Sequence, residues 1–365
     1  MSSLIQFLGG QWLVFFKGKQ AGHGLLSFNS FGDSGGYVSL YQDENILEKT
    51  PTLLLQGRVN VSAVSQQNFV ATARENNSVL LNQVTIEGRR PSETLTQWVG
   101  EWRSTAGYSG EFEMIKLTPR RLEVSEVQVV SNWNQFSDWV FSQEPESFVY
   151  RGLGDRAFLL ESTAHRAGIF NLHHYLVEVL PRVRAELLKR HGLRIDVSSP
   201  DGLAEILALI RHHGFPSPIM DWSKSPWVAL YFALTSAILQ TASSTGLKYC
   251  RVYCLRHNGI SVIADVKQAL LAPNLSGSFA EIPTPMTSRV TAQEGVFLLT
   301  PCVDVVTTFL TEGNRTNQQL ISAVDIAGDV ANEFLGRLDR MMINEATMLS
   351  NIDSTLNHLR RRLIK

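Results

Sequence analysis

The sequence predicts an α+β chain: an N-terminal all-β barrel or sandwich over residues 1–120, then a mixed α/β domain over residues 131–363. Short strand-like runs separated by turn residues fill the first third, whereas helix-period spacing begins only at Trp133, Phe136 and Trp139. A chain of 365 residues usually holds two domains, each able to bury its own core.

The β region reads GQWLVFFKG, GLLSFNSF, GYVSLYQ, TLLLQGRVNVSAV, FVATA, SVLLNQVTIEG and GEFEMIKLT. Several runs alternate, as in Glu111-Phe112-Glu113-Met114, which fits an antiparallel barrel or sandwich with one buried face. Gly10-Gln11-Trp12 and Gly100-Glu101-Trp102 each open a strand and suggest pseudo-symmetric halves that pack a tryptophan at the barrel's base. His23 is the only histidine before His165, so this region carries no catalytic constellation. It reads as a packing module or as a domain that senses a ligand or binds a protein partner. Thr118-Pro119-Arg120-Arg121 ends it, and Leu122 to Val130 reads as a linker or a joining strand.

In the second domain, Ser147 to Gly152 is an apolar strand ending in arginine and glycine. A buried arginine is costly unless paired, and its planar fork suits carboxylate or phosphate. Arg151 therefore has a ligand or a structural partner such as an aspartate. Gly152 lets backbone, or a bound group, come close. A helix from about Leu172 to Lys189 is interrupted at Pro181, and a second from Gly202 to His212 carries the stripe Leu203, Ile206, Leu207 and Ile210.

The stretch that organises the domain runs from Ile210 to Ala233, IRHHGFPSPIMDWSKSPWVALYFA. Gly214, Pro216 and Pro218 break the helix after His212 and His213. Asp221-Trp222-Ser223 follows, and Pro226 begins a new helix with Ser223 or Ser225 as N-cap. Trp227, Leu230, Tyr231, Leu234 and Ile238 form the apolar side of that helix. Polar groups on a rigid turn between apolar elements suit function. The plainer reading keeps Asp221 as a helix cap or partner of Arg151, Trp222 as core, and the histidines as groups satisfying helix carbonyls. Gly246 to Ile263 reads as two strands around His257-Asn258-Gly259, residues 265–288 as a loop over the cleft, and residues 329–340 and 343–363 as closing helices.

Composition narrows the classes. Hydrophobic content of 44%, charged content of 18% and a net charge of −1 fit an ordinary globular protein with no global attraction to nucleic acid or membrane. The basic tail Arg360, Arg361, Arg362 and Lys365 reads as a solvated helix end. Cys250, Cys254 and Cys302 read as small core residues of a reducing compartment. With no signal peptide and no membrane-spanning run, the expected location is cytoplasmic. No nucleophile elbow, meaning a G-x-S-x-G turn from a strand into a helix, and no Walker loop is present, and Asp221 with His212 and His213 lacks metal-ligand spacing, so no metal is expected.

Several separated motifs resemble the FRG domain. They are Tyr150-Arg151-Gly152, the group Leu160, Ser162 and Arg166, the segment His213 through Ala233, and Arg289, Gln293, Gly295 and Phe297. A closing helix completes the match over about residues 131–361. Ser217 replaces the usual threonine, Pro218 a frequent arginine, and Ser350-Asn351-Ile352 the usual Pro-Asp-Leu. The resemblance implies an ADP-ribosyltransferase-like domain that takes NAD as substrate. The implied activity is ADP-ribosyl transfer or NAD cleavage by an effector of bacterial conflict or phage defence, with a protein or nucleic acid as acceptor. The alternative is a non-catalytic nucleotide- or nucleic-acid-binding module. By the same resemblance Arg151, with Tyr150, Gly152, Ser162, Arg166 and Arg289, contacts the dinucleotide. Asp221 to Phe232, including Trp222, Ser223 and Tyr231, packs around the nicotinamide ribose. Residues 289–299 form the later strand, where Glu294 or Gln293 stands at the position of the catalytic glutamate. Strand alternation sets those two on opposite faces. If Gln293 faces the cleft, Asp221 supplies the carboxylate, preceded by His212 and His213.

Overall fold

In the computed structural model, eight antiparallel strands at the front of the chain close into a barrel, each bonded to the next and the last to the first. The structure describes residues 3–18, 21–31, 35–42, 52–75, 83–91, 96–144, 146–241, 249–257, 261–262, 265–272, 275–282, 293–349 and 352–363. The barrel strands are β1 Gly10–Gly18, β2 Gly22–Phe28, β3 Gly36–Gln42, β4 Thr52–Val64, β5 Asn68–Glu75, β6 Gln83–Arg89, β7 Gln97–Ser104 and β8 Ser109–Leu117. Alternation sets the inner face, as in β8, where Phe112 and Met114 are buried and Glu111 is exposed. Side chains such as Phe16, Leu26, Phe69 and Met114 fill the interior and leave an apolar void of only about 40 Å³. The barrel is thus a packed core, as expected at this strand number.

Helix α1, Ser3–Leu8, covers one end, where the Leu8 carbonyl accepts from Trp12 Nε1 at 2.8 Å. The expected pairing of Trp12 with Trp102 at one base does not occur. Trp102 donates to the Lys17 carbonyl at the other end of β1. Trp98 shares the Trp12 end instead. The Arg90 guanidinium lies 4.4 Å over the ring of Trp98, and Lys116 Nζ lies 5.5 Å over that of Trp12.

The second domain is built on a mixed sheet in the order β13-β14-β15-β11-β10-β12-β16-β9. Its strands are β9 Gln128–Val130, β10 Phe148–Leu153, β11 Met220–Ser223, β12 Tyr249–Arg256, β13 Ser261–Val262, β14 Ser278–Glu281, β15 Gly295–Leu299 and β16 Ile321–Ala327. β9 joins β16 in parallel, so the end of the stretch from Leu122 to Val130 is a joining strand, one of the two readings the sequence allowed. The expected hairpin after β12 is not formed: β13 pairs with β14 at the far edge, and residues 258–260 lie outside the described residues. Helices α2 Trp133–Phe141, α3 Thr163–Arg166, α4 Leu172–His174, α5 Leu180–His191, α6 Pro200–His212 and α7 Pro226–Thr241 surround β10 and β11, and Val305–Thr316, Ala331–Arg340, Glu345–Leu349 and Ile352–Leu363 complete the domain. Between α4 and α5 the residues Tyr175–Val179 form a widened π turn. Pro181 explains it, because its missing N–H and its ring disturb the regular ladder one turn earlier.

The middle of the sheet is set by close packing. A Cβ on Gly152 would lie 2.0 Å from the Ala229 carbonyl oxygen and 2.7 Å from Ala233 N. Gly154 meets Ser236 and Ala237 in the same way. α7 therefore rests on β10 through small residues, and Ile238, expected on the packed side, is exposed. Gly152 answers to a helix backbone, one of the two roles its sequence context allowed.

A buried ion pair ties the sheet to the segment behind the barrel. Arg251 on β12 faces Asp325 on β16, with Nε to Oδ1 at 2.7 Å and Nη2 to Oδ2 at 3.1 Å. Arg251 Nη1 also donates to the Leu122 carbonyl at 2.7 Å. The barrel docks on this domain through buried amides. Gln11 donates to the Pro301 carbonyl at 2.7 Å and accepts from Val303 N at 2.9 Å. Asn29 Oδ1 accepts from Phe170 N and Asn171 N, and the His173 ring stacks on Tyr37 at 4.1 Å.

Two imidazoles in this region make the fold acid-sensitive. Burial holds the pKa of His165 down to about 4, and both its ring nitrogens are buried without a hydrogen-bond partner. His173 is held down to about 4 by burial first and then by the charges of Arg58, Lys267 and His174, opposed by Glu178. Unfolded, both return to an ordinary value of about 6.5 and bind more protons than the fold does. Stability should therefore fall as pH drops from about 6.5 towards about 4. His165 alone should account for roughly 2.5 kcal/mol between pH 7 and pH 4.5. Urea unfolding of the wild type and His165→Leu at both pH values reads this out, and an equal acid loss in both would rule it out.

Candidate active site

β11 is four residues long because Pro216 and Pro218 precede it and Ser225-Pro226 turns the chain into α7. Its register, Tyr150 opposite Ser223, sets it beside the Tyr-Arg-Gly end of β10. The two strands and α7 enclose a cavity of about 340 Å³, lined on the polar side by Arg151, Arg211, Asp221 and Gln293 and on the apolar side by Val228 and Phe232. Tyr150, Gly152, Trp222 and Ser223 also line it.

Arg151 Nη1 donates to the main-chain carbonyl of Asp221. The structural partner of Arg151 is thus the carbonyl of Asp221, which leaves the rest of its fork free to face the cavity. Burial lowers its pKa to about 10, with Arg211 and Arg166 adding to the depression and Asp221 opposing it. It remains a cation at neutral pH. The Asp221 carboxylate is 47% exposed and pairs with Arg211, Nη2 to Oδ2 at 2.6 Å. Arg211 Nε is buried without a hydrogen-bond partner. Two guanidinium groups thus face one carboxylate, a surplus of positive charge that suits an anionic ligand.

Several residues expected at the site lie elsewhere. Ser162 is the N-cap of α3, its hydroxyl accepting from His165 N at 3.1 Å. Arg166 is exposed and pairs with Glu161 at 3.7 Å. His212 and His213 are exposed at the end of α6, ring against ring at 5.3 Å, because Gly214 ends the helix on the surface. Tyr231 is core, packed beside Phe232. Trp222 lines the cavity but is otherwise buried, with Nε1 unpartnered. Ser223 lines the cavity, but its hydroxyl donates to the Gln293 carbonyl at 2.7 Å and accepts from Ser225 N. Ser225 accepts from Val228 N and so caps α7.

Gln293 and Glu294 do not alternate on a strand as expected. β15 starts only at Gly295, and Glu294 is a turn residue with φ +47°, which no strand allows. The two still part company. Gln293 reaches the cavity and donates to the Met348 carbonyl at 2.8 Å, while Glu294 opens on a neighbouring groove of about 820 Å³ that shares Tyr150 as its wall. Arg289 lies outside the described residues.

Arg211 is the site residue that sequence reading missed. It lies one turn after Leu207, whose side chain is fully buried, so a charge on that row had to face something specific. Among the described residues no cluster of His, Cys, Asp or Glu could hold a metal, and no helix is long and apolar enough to cross a membrane.

No curated protein matches the chain. Two solved structures are similar to part of it, each 14% identical over 32% of this chain. One is a redesigned β barrel, mFAP1, bound to DFHBI, covered over 100% of its length with a TM-score of 0.25. The other is a redesigned β barrel, b11L5F_LGL, covered over 98% with a TM-score of 0.26. The family model of the FRG domain matches residues 146–241, from the start of β10 to the end of α7. That span holds every described residue lining the cavity except Gln293, and the chain carries an FRG domain behind an N-terminal β barrel.

Proposed function

We propose that this cavity binds NAD as substrate and that the protein cleaves the bond between nicotinamide and ribose, passing ADP-ribose to water or to a protein or nucleic-acid acceptor. The observation that carries the reading is the convergence of Arg151 with Asp221 in one cation-rich cavity. The residues present fit such a substrate. Two guanidinium groups suit its phosphates, and the wall of Val228 and Phe232 suits a ring. Departure of nicotinamide leaves positive charge on the ribose, which a carboxylate beside it stabilises. Asp221 is the acidic group among the lining residues, whereas Glu294 belongs to the next groove. An effector in bacterial conflict or phage defence is the setting that the domain's resemblance suggests.

A specific observation favours the second reading, a non-catalytic nucleotide- or nucleic-acid-binding module: Asp221 is paired with Arg211. Labelled NAD separates the two. Nicotinamide release supports the enzyme, and retained nucleotide binding without release under any partner condition supports the module. Arg151→Ala should weaken dinucleotide binding about tenfold or more, the worth of a charge-assisted hydrogen bond. Unchanged affinity by calorimetry would remove Arg151 from the site.

A further inference from the structure

We infer that Arg211 is a second phosphate-binding residue, that Arg151 and Arg211 form a two-arginine clamp for a diphosphate, and that the Asp221 carboxylate holds the place of one phosphoryl group until the ligand arrives. The inference rests on the nucleotide reading of this cavity and adds to it a ligand class, a specificity residue and an order of events.

The geometry behind it is an incomplete ion pair. A carboxylate that fully matches an arginine edge takes two parallel N–H bonds. Asp221 takes one, from Nη2, and leaves Nε–H of the same edge buried without a partner. An unsatisfied buried donor is an unfavourable feature that a better-matched acceptor removes. A phosphoryl group, with more oxygens and more charge, satisfies both N–H groups at once. Asp221 can give way at little cost, since its side chain is 47% exposed and can turn to water.

The spacing selects the ligand. Arg151 is anchored on the carbonyl of Asp221, and Arg211 holds its carboxylate, so the two guanidinium groups flank a single residue. Adjacent phosphoryl groups offer each arginine its own pair of oxygens, whereas a single phosphoryl group must share its three terminal oxygens between the two. Arg166 contributes to the lowered pKa of Arg151 and is not among the described residues that line the cavity. Occupation of Arg211 by phosphate then releases the Asp221 carboxylate. The group proposed to stabilise the ribose cation becomes free only when a diphosphate is seated, which couples binding to readiness for chemistry.

Calorimetry on the 365-residue chain tests this with inorganic pyrophosphate, ADP-ribose and AMP as probes. Arg211→Gln should weaken pyrophosphate and ADP-ribose about tenfold or more and AMP less than about threefold. Arg211→Lys, which keeps the charge without the fork, should fall between wild type and Arg211→Gln. Asp221→Asn should tighten pyrophosphate several-fold by removing the competing carboxylate. The clamp is overturned if Asp221→Asn leaves pyrophosphate affinity unchanged or weaker, if Arg211→Gln weakens AMP and pyrophosphate alike, or if wild type binds no pyrophosphate. These variant effects without any NAD cleavage would keep the clamp and remove the transferase reading.

Discussion

Asp325→Ala should lower the unfolding free energy by about 3–5 kcal/mol, the usual result of removing one partner from a buried ion pair. Arg251 and Asp325 are both essentially inaccessible. Burial alone would lower the pKa of Arg251, and hydrogen bonds to Asp325 and Tyr253 more than offset that. Once the carboxylate is gone, only the Leu122 carbonyl, the Tyr253 hydroxyl and solvent leaking in remain for a full positive charge. Arg156, which also reaches Asp325 at 3.7 Å, loses a partner too. Chemical denaturation followed by circular dichroism measures the effect. The double variant Arg251→Met with Asp325→Leu should recover most of the loss, because no charge is then stranded. A single-variant loss below about 1 kcal/mol would mean that water already reaches the pair.

The second large effect concerns chemistry. Asp221→Asn should reduce NAD turnover about a hundredfold, the usual size of a lost charge-stabilising group. Binding of ADP-ribose should be equal or tighter. That split, kcat falling while affinity does not, marks a group acting on the transition state. The substitution is nearly isosteric, and Arg151 contacts the main-chain carbonyl of residue 221, so the anchor survives it. Equal turnover in wild type and variant would make Asp221 purely structural.

Much of the barrel could be read in the sequence because alternation and turn residues are local signals, as in the Glu111-Phe112-Glu113-Met114 run of β8. Arg151 was legible for a related reason: a charge at the end of an apolar strand must be answered. Arg211 was hidden because its partner lies across the Gly-Pro turn, and only the folded chain brings α6 and β11 together. Ser162 misled, although the spacing to His165 N already allowed an ordinary N-cap. Glu294 misled because nothing in its side chain announces a left-handed backbone. On α7, Leu230, Tyr231 and Leu234 are buried as read and Ile238 is exposed, while the small residues that meet β10 at Gly152 and Gly154 carried no signal of their own.

The way both sheets end bears on self-association. A closed barrel offers a neighbouring molecule no open row of amides to extend. Among the described residues the other sheet stops at strands of two and three residues, too short to template a further strand. Among the described residues, strand addition by a second copy therefore finds little edge to extend.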